Sequence, residues 1–209
     1  MKKIPIAAPG YPFILVALVL TVVSYFTVSF LWPVFLVLTV FTIYFFRDPE
    51  RTAPADENLV LAPADGRVIR VEKVYEPHFI KGEVQKVSIF LSLFDVHVNR
   101  SPCAGEVSYS NYIAGAFLVA HKREAAERNE RNMLGLETGI GRILVIQVAG
   151  LIARRIVCWT GPGDLVEAGT RIGMIRFGSC TEVFFPLEAR IRVKEGDRVR
   201  GGETVLGEF

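Results

Sequence analysis

The chain has 209 residues, 51% of them hydrophobic, and a formal net charge of +2 at pH 7, enough for one domain with an appendage. Lys2 and Lys3 supply that charge, so residues 47–209 are neutral and lack the bulk attraction for phosphate backbones on which nucleic-acid binding depends. Three scattered cysteines, Cys103, Cys158 and Cys180, form neither a disulfide framework nor a metal-ligand spacing, which fits a reducing compartment.

From Ile4 to Phe46 there is no Asp, Glu, Lys, Arg or His. The stretch is too long for a signal-peptide core, and Ala7-Ala8-Pro9 precedes the apolar run instead of following it. It reads as a membrane anchor over residues 1–46. Pro12 to Phe30 is long enough to cross a bilayer, whereas Pro33 to Phe46, after the Trp32-Pro33 interruption, is short for a span. Lys2 and Lys3 before the segment and Arg47 and Arg51 after it predict a transmembrane helical hairpin with both ends cytoplasmic. A single long tilted helix is the alternative.

Arg47 to Asn58 is a polar, Pro-containing linker, and the chain from Leu59 onward is mostly strand. Predicted strands are Leu59–Leu61, Arg67–Val74, Lys86–Leu93, Glu106–Tyr112, Arg142–Val148, Ile152–Trp159, Thr170–Arg176, Glu182–Phe185, Ala189–Val193 and Thr204–Gly207. They are short, rich in Val and Ile, and separated by Gly, Pro and Asp. Ala116 to Arg131, with Ala, Glu, Arg and Lys and no Gly or Pro, predicts a short helix. Gly163-Asp164-Leu165-Val166-Glu167-Ala168-Gly169 is echoed by Gly196-Asp197-Arg198-Val199-Arg200-Gly201-Gly202, a turn entering a strand in both copies. The expected fold is therefore mainly β, a hybrid β-sandwich or barrel with pseudo-repeated strands.

Chemistry-bearing residues are few. The histidines are His78, His97 and His121. His97 stands in Asp95-Val96-His97-Val98-Asn99-Arg100-Ser101-Pro102, a polar cluster just past an apolar strand. Such a place suits site residues and capped strand ends alike. Asp65 lies in Pro63-Ala64-Asp65-Gly66, a sequence suited to a type I turn. Phe177-Gly178-Ser179-Cys180 lies between two strand-like runs. A serine there is ordinarily a turn residue, yet glycine leaves its carbonyl unshielded, and a strained turn brings the following hydroxyl against it.

Five segments occur in one order: Arg47-Asp48-Pro49-Glu50-Arg51, Ala62-Pro63-Ala64-Asp65-Gly66, the His97 segment, Asn129-Glu130-Arg131-Asn132 and Phe177-Gly178-Ser179-Cys180. That order and spacing resemble the short-form (archaeal and bacterial type) phosphatidylserine decarboxylases, pyruvoyl enzymes made as self-cleaving proenzymes. The resemblance spans residues 47–209. It implies that Ser179 attacks the Gly178 carbonyl, that β-elimination divides the chain into 1–178 and 179–209, and that Ser179 becomes a pyruvoyl group. This covalent cofactor forms a Schiff base with the serine amine of the lipid and takes up the electrons left when carbon dioxide departs.

The resemblance further implies that Asp65 supports a base for self-cleavage and that His97 assists decarboxylation. Long-form relatives carry a second His three residues after the position of His97; here that position is Arg100, which stays protonated and cannot be a base. Either His97 serves both steps, or Arg100 has another task, such as holding the substrate phosphate or carboxylate. Gly115-Ala116-Phe117-Leu118-Val119 either dips toward acyl chains, with Phe117 as a contact, or is the buried face of a short helix. The implied setting is the cytoplasmic side of the cell membrane. The implied partners are a phospholipid substrate (phosphatidylserine or its ether-linked archaeal counterpart) and a second copy in a homodimer. Two other readings compete: a membrane-tethered lipoyl- or biotinyl-like carrier, for which Lys194 is the C-terminal candidate lysine, and a serine hydrolase using Ser179 and His97. The latter lacks a Gly-x-Ser-x-Gly elbow.

Overall fold

The computed structural model describes residues 5–116, 128–150, 155–176 and 179–209. They form two compact units, Met1–Glu50 and Arg51–Phe209.

In the first unit a 3-10 turn at Ala8–Gly10 leads into helix α1 (Tyr11–Thr27), succeeded by α2 (Trp32–Phe45). Each helix has a proline in its first turn, where no intrahelical N–H is lost. Their buried positions are mostly small and hydroxylic: Ala17, Thr21 and Ser24 on α1, Thr39 and Thr42 on α2, with Phe45 at the end of α2. Thr21 Oγ1 and Thr39 Oγ1 meet at 3.0 Å between the helices, while Leu15, Val16, Val19, Val22, Val34 and Val37 point outward, exposed. Small residues inside and apolar ones outside are what lipid solvation favours. The stretch Ala8–Thr27 is long and apolar enough to cross a membrane; Trp32–Phe45 is shorter.

The second unit is built of strands: β1 (Leu59–Leu61), β2 (Gly66–Glu76), β3 (Gly82–Leu91), β4 (Val98–Arg100), β5 (Gly105–Ile113), β6 (Arg131–Thr138), β7 (Gly141–Ala149), β8 (Arg155–Cys158), β9 (Leu165–Val166), β10 (Arg171–Arg176), β11 (Ser179–Pro186), β12 (Arg190–Ile191), β13 (Arg198–Val199) and β14 (Val205–Glu208). They make an eight-stranded sheet in the order β13-β2-β3-β11-β7-β6-β5-β9, with two three-stranded sheets, β4-β10-β8 and β1-β14-β12. Strand β11 is interior to the large sheet, paired antiparallel with β3 on one side and β7 on the other.

Strand alternation divides the large sheet into two faces. One side packs Val87, Ile89, Leu91, Leu134, Val145 and Val183 into a core with Val60, Ala62 and Leu206. Val84, Met133, Leu144, Val148, Cys180 and Phe184 pack on the other.

The Gly-Asp-x-Val echo is a structural repeat. Gly163 and Gly196 have φ of 94° and 93°, and Gly169 and Gly202 have φ of 78° and 76°, all in the region that favours glycine. Each copy leads into an edge strand of the eight-stranded sheet, β9 beside β5 and β13 beside β2. Asp164 and Asp197 accept matching backbone hydrogen bonds, from Gly161 N at 2.8 Å and Lys194 N at 3.0 Å.

Two predicted elements need correction, and strand β6 was not predicted. The predicted helix Ala116–Arg131 ends in extended chain: Asn129 bridges Ala116 and Arg131 opens β6, while residues 117–127 lie outside the described set. Strand β6 carries no clean alternation, because Gly135 and the polar residues Asn132, Glu137 and Thr138 interrupt it. The strand predicted over Glu182–Phe185 begins at Ser179, three residues earlier.

Candidate active site

Ser179 is the first residue of β11, opposite Leu91 on β3 and Ala149 on β7. It is completely buried. Among the described residues its Oγ has no hydrogen-bond partner. Two positions along the same face, Thr181 stands opposite Ile89 and Gln147 and is equally buried, and its Oγ1 also lacks a partner among the described residues. Cys180 points to the other face. Burial pushes its thiol strongly up, keeping it protonated.

Strand β10 brings β4 over this part of the sheet. Gly173 pairs with Asn99 and Cys158 in the small sheet. A Cβ on Gly173 would lie 2.5 Å from the Val157 carbonyl oxygen and 3.0 Å from Gln147 Nε2, so only glycine permits this approach. Beneath it runs a chain of amides. Asn132 Nδ2 donates to Gln147 Oε1 at 3.0 Å, and Gln147 Nε2 donates to Asn99 Oδ1 at 2.7 Å. Asn99 Nδ2, fully buried, has no partner among the described residues. Asn129 Nδ2 donates to the Ala149 carbonyl at 2.7 Å, fixing the backbone opposite Ser179.

Asn99, Ser179 and Thr181 thus contribute three buried polar atoms without partners among the described residues; Gln147 bonds to Asn99 and stands across from Thr181. Each such atom costs about 1–3 kcal/mol in a folded core, and native interiors hold few of them. Their occurrence on adjoining pairs of one sheet face makes this the candidate site.

His97 is fully buried in the turn before β4. Its Nδ1 lies 3.0 Å from the Asp95 carbonyl oxygen, a pure acceptor, so Nδ1 carries the proton in the neutral ring and Nε2 is the basic nitrogen. The turn is held by Asp95 Oδ2, which accepts from Ser92 N at 2.8 Å and Ser92 Oγ at 2.6 Å. The His97 carbonyl accepts from Ile175 N at 3.2 Å, joining the turn to the strand that leads toward Ser179.

Asp65 and Arg100 lie where the two repeats meet. Asp65 Oδ2 pairs with Arg51 Nη2 at 2.8 Å, and Oδ1 accepts from Gly201 N at 2.8 Å. Arg51 also reaches Glu203 at 2.8 Å. Arg100 is only 4% exposed. Its Nη1 donates to the Gly169 carbonyl at 2.9 Å, and its backbone N donates to the Pro63 carbonyl at 2.8 Å. The His97 segment and the Asp65 turn are thereby hydrogen-bonded to each other. Phe117 and Gly178 lie outside the described residues.

Sequence reasoning missed Thr181, Gln147 and Asn99. Gln147 had a signal: it is the one polar residue in the apolar run Ile143–Val148. Asn99 sat inside the His97 segment but drew no assignment. A pocket of about 470 Å³ on the opposite face of the sheet is lined in part by Arg70, Glu72, Lys86 and Glu182. There Lys86 Nζ pairs with Glu182 Oε1 at 2.8 Å, which also accepts from Ser88 Oγ at 3.0 Å. Among the described residues no group of three or more His, Cys, Asp or Glu is placed to hold a metal.

A sequence model of the phosphatidylserine decarboxylase family matches residues 38–207. The chain belongs to that family. The phosphatidylserine decarboxylase proenzyme of Symbiobacterium thermophilum is 50% identical over 208 residues, covering 99% of this chain and 97% of that protein. The corresponding proenzyme of Desulfotalea psychrophila is 47% identical over 209 residues, covering 99% and 98%, and that of Geobacter metallireducens 50% over 210 residues, covering 97% and 96%. Membership displaces both the carrier-module and the serine-hydrolase readings. The resemblance read from the five segments is thus borne out, as is the mainly β architecture.

Proposed function

We propose that this family member is made as a proenzyme, cuts itself between Gly178 and Ser179, and then decarboxylates phosphatidylserine at the membrane. The observation that carries the reading is the Ser179 hydroxyl, fully buried and without a partner among the described residues, at the head of an interior strand. A base takes the Oγ proton and the oxygen adds to the preceding carbonyl. The C–N bond breaks, the nitrogen is protonated, and an ester replaces the peptide. Removal of the Ser179 Cα proton then expels the Gly178 carboxylate, leaving dehydroalanine; its tautomer takes up water, loses ammonia and becomes the pyruvoyl ketone. Such a ketone at position 179 would supply an electron sink for the pair left on the substrate when carbon dioxide departs.

The protein's own residues do the rest. His97 Nε2 is the group suited to hold or return a proton in both stages. Asp65 secures the loop crossing through Arg51 and Gly201. The bond from Arg100 to the Gly169 carbonyl supports a role in fixing the same crossing, more than contact with substrate phosphate. After cleavage, residues 179–209 stay in place because β11 is hydrogen-bonded along both edges, while β13 and β14 pair with β2 and β1.

In this account residues 1–46 are the anchor, residues 47–209 the catalytic domain, and the domain works on the cytoplasmic side as a homodimer. The exposed apolar surfaces of α1 and α2 suit contact with the bilayer that holds the substrate. Detergent-solubilised full chain, given mixed micelles of carboxyl-labelled phosphatidylserine, is expected to release labelled carbon dioxide. Hydroxylamine pre-treatment, which consumes a ketone, should abolish the release. Release that survives the treatment would contradict the pyruvoyl assignment.

A further inference from the structure

We infer that Asn99 is a catalytic residue of the self-cleavage step: its Nδ2–H donates to the oxyanion formed when Ser179 Oγ adds to the carbonyl preceding it, with Gln147 and Asn132 as positioning residues. The inference rests on the self-cleavage reading.

A carboxamide offers either an oxygen or an NH₂ to its surroundings, and only the second stabilises a developing anion. In the amide orientations of this structure it is the NH₂ that is presented. Asn132 Nδ2 donates to Gln147 Oε1, leaving Gln147 Nε2 to donate; Asn99 must present Oδ1 to receive it. Nδ2 of Asn99 is therefore turned away from Gln147, buried and unpartnered among the described residues. Through Gln147 it belongs to the face of the sheet that carries the reacting serine, one residue pair along. Gln147 stands directly across from Thr181, and Ala149, its same-face neighbour, stands directly across from Ser179. Gly173, paired with Asn99, lies against Gln147 Nε2, where a Cβ would come within 3.0 Å of it.

An orphaned donor in a dry interior is unfavourable in the ground state. It becomes favourable only when negative charge appears beside it, the arrangement expected of a preorganised transition-state donor. The adduct carries one full charge on the former carbonyl oxygen. Its proton has gone to the base, and collapse returns the electron pair to the C=O bond as the C–N bond breaks.

The test tracks cleavage of the newly made full chain in cell-free translation with lipid nanodiscs. Asn99→Asp keeps the shape and still accepts from Gln147 but removes the N–H donor; cleavage should slow about 100- to 1,000-fold. Gln147→Glu lets Asn99 turn its NH₂ toward the new carboxylate and should slow it too. The double variant should be no slower than Asn99→Asp alone, because Gln147 acts through Asn99.

Hydroxylamine, which cuts esters, should not rescue Asn99→Asp, since the block precedes the ester. Four outcomes would overturn the inference: cleavage of Asn99→Asp within threefold of wild type, rescue by hydroxylamine, additive slowing in the double variant, or slowing that accompanies loss of cooperative thermal unfolding in every variant. Wild-type chain that never cleaves would instead sink the self-cleavage reading itself.

Discussion

Ser179→Ala is expected to leave the chain at full length and without decarboxylase activity, a complete loss on both counts. No neighbour can replace the hydroxyl. Cys180 faces the other side of the sheet with a thiol that burial keeps protonated. Thr181 shares the face of Ser179 but lies two residues further along β11, with a different carbonyl before it. The fold itself should not suffer. Removing a buried hydroxyl that has no partner among the described residues relieves a desolvation penalty of about 1–3 kcal/mol, set against a small loss of packing. The variant should therefore melt at or above the temperature of the wild-type proenzyme. A denaturing gel and a thermal melt read the two parts separately: an uncut chain that remains stable supports a chemical role, and an uncut chain that is unfolded does not.

The second large effect is expected at His97. His97→Ala should lower lipid turnover about 100- to 10,000-fold, the range for loss of a general acid–base group. It should also arrest self-cleavage, because the other candidates are poorly suited to act as the base. Arg100 stays protonated and is buried against the Gly169 carbonyl. Both carboxylate oxygens of Asp65 are engaged, by Arg51 and by Gly201 N. Cleavage and turnover must be scored independently, the first by gel and the second by carbon dioxide release. Normal cleavage with lost turnover would confine His97 to decarboxylation and place the cleavage base elsewhere. Normal turnover would remove His97 from the reaction.

Much of this was legible in the chain because the relevant signals are local. The charge-free run from Ile4 to Phe46 reports α1 and α2 directly. The Val- and Ile-rich runs of β2, β3 and β7 report strands, with β3 and β7 buried along most of their length. The Gly-Asp-x-Val echo was readable since each copy needs glycine at the same two backbone angles. What stayed hidden depends on pairing between distant segments. Strands β4, β9 and β13 have two or three residues each, too few to carry a period.

The site was hidden for the same reason. Asn99, Gln147 and Ser179 are far apart in sequence, and their common place comes from the registers β4–β10 and β7–β11. The tetrapeptide around Ser179 is a local signal, but its position as the first residue of an interior strand is not. That position matters: a serine in an exposed turn would hydrogen-bond to water, whereas this one is dry and unsatisfied among the described residues.

The central claim is that the Gly178–Ser179 bond is broken by the chain itself, and the intact mass of purified wild-type protein under denaturing conditions tests it most directly. Two species are predicted: residues 1–178 ending in an ordinary carboxylate, and residues 179–209 lighter by one ammonia than a fragment beginning with serine. A single full-length mass from active protein, or a smaller fragment with a free serine amine at its start, would contradict the account.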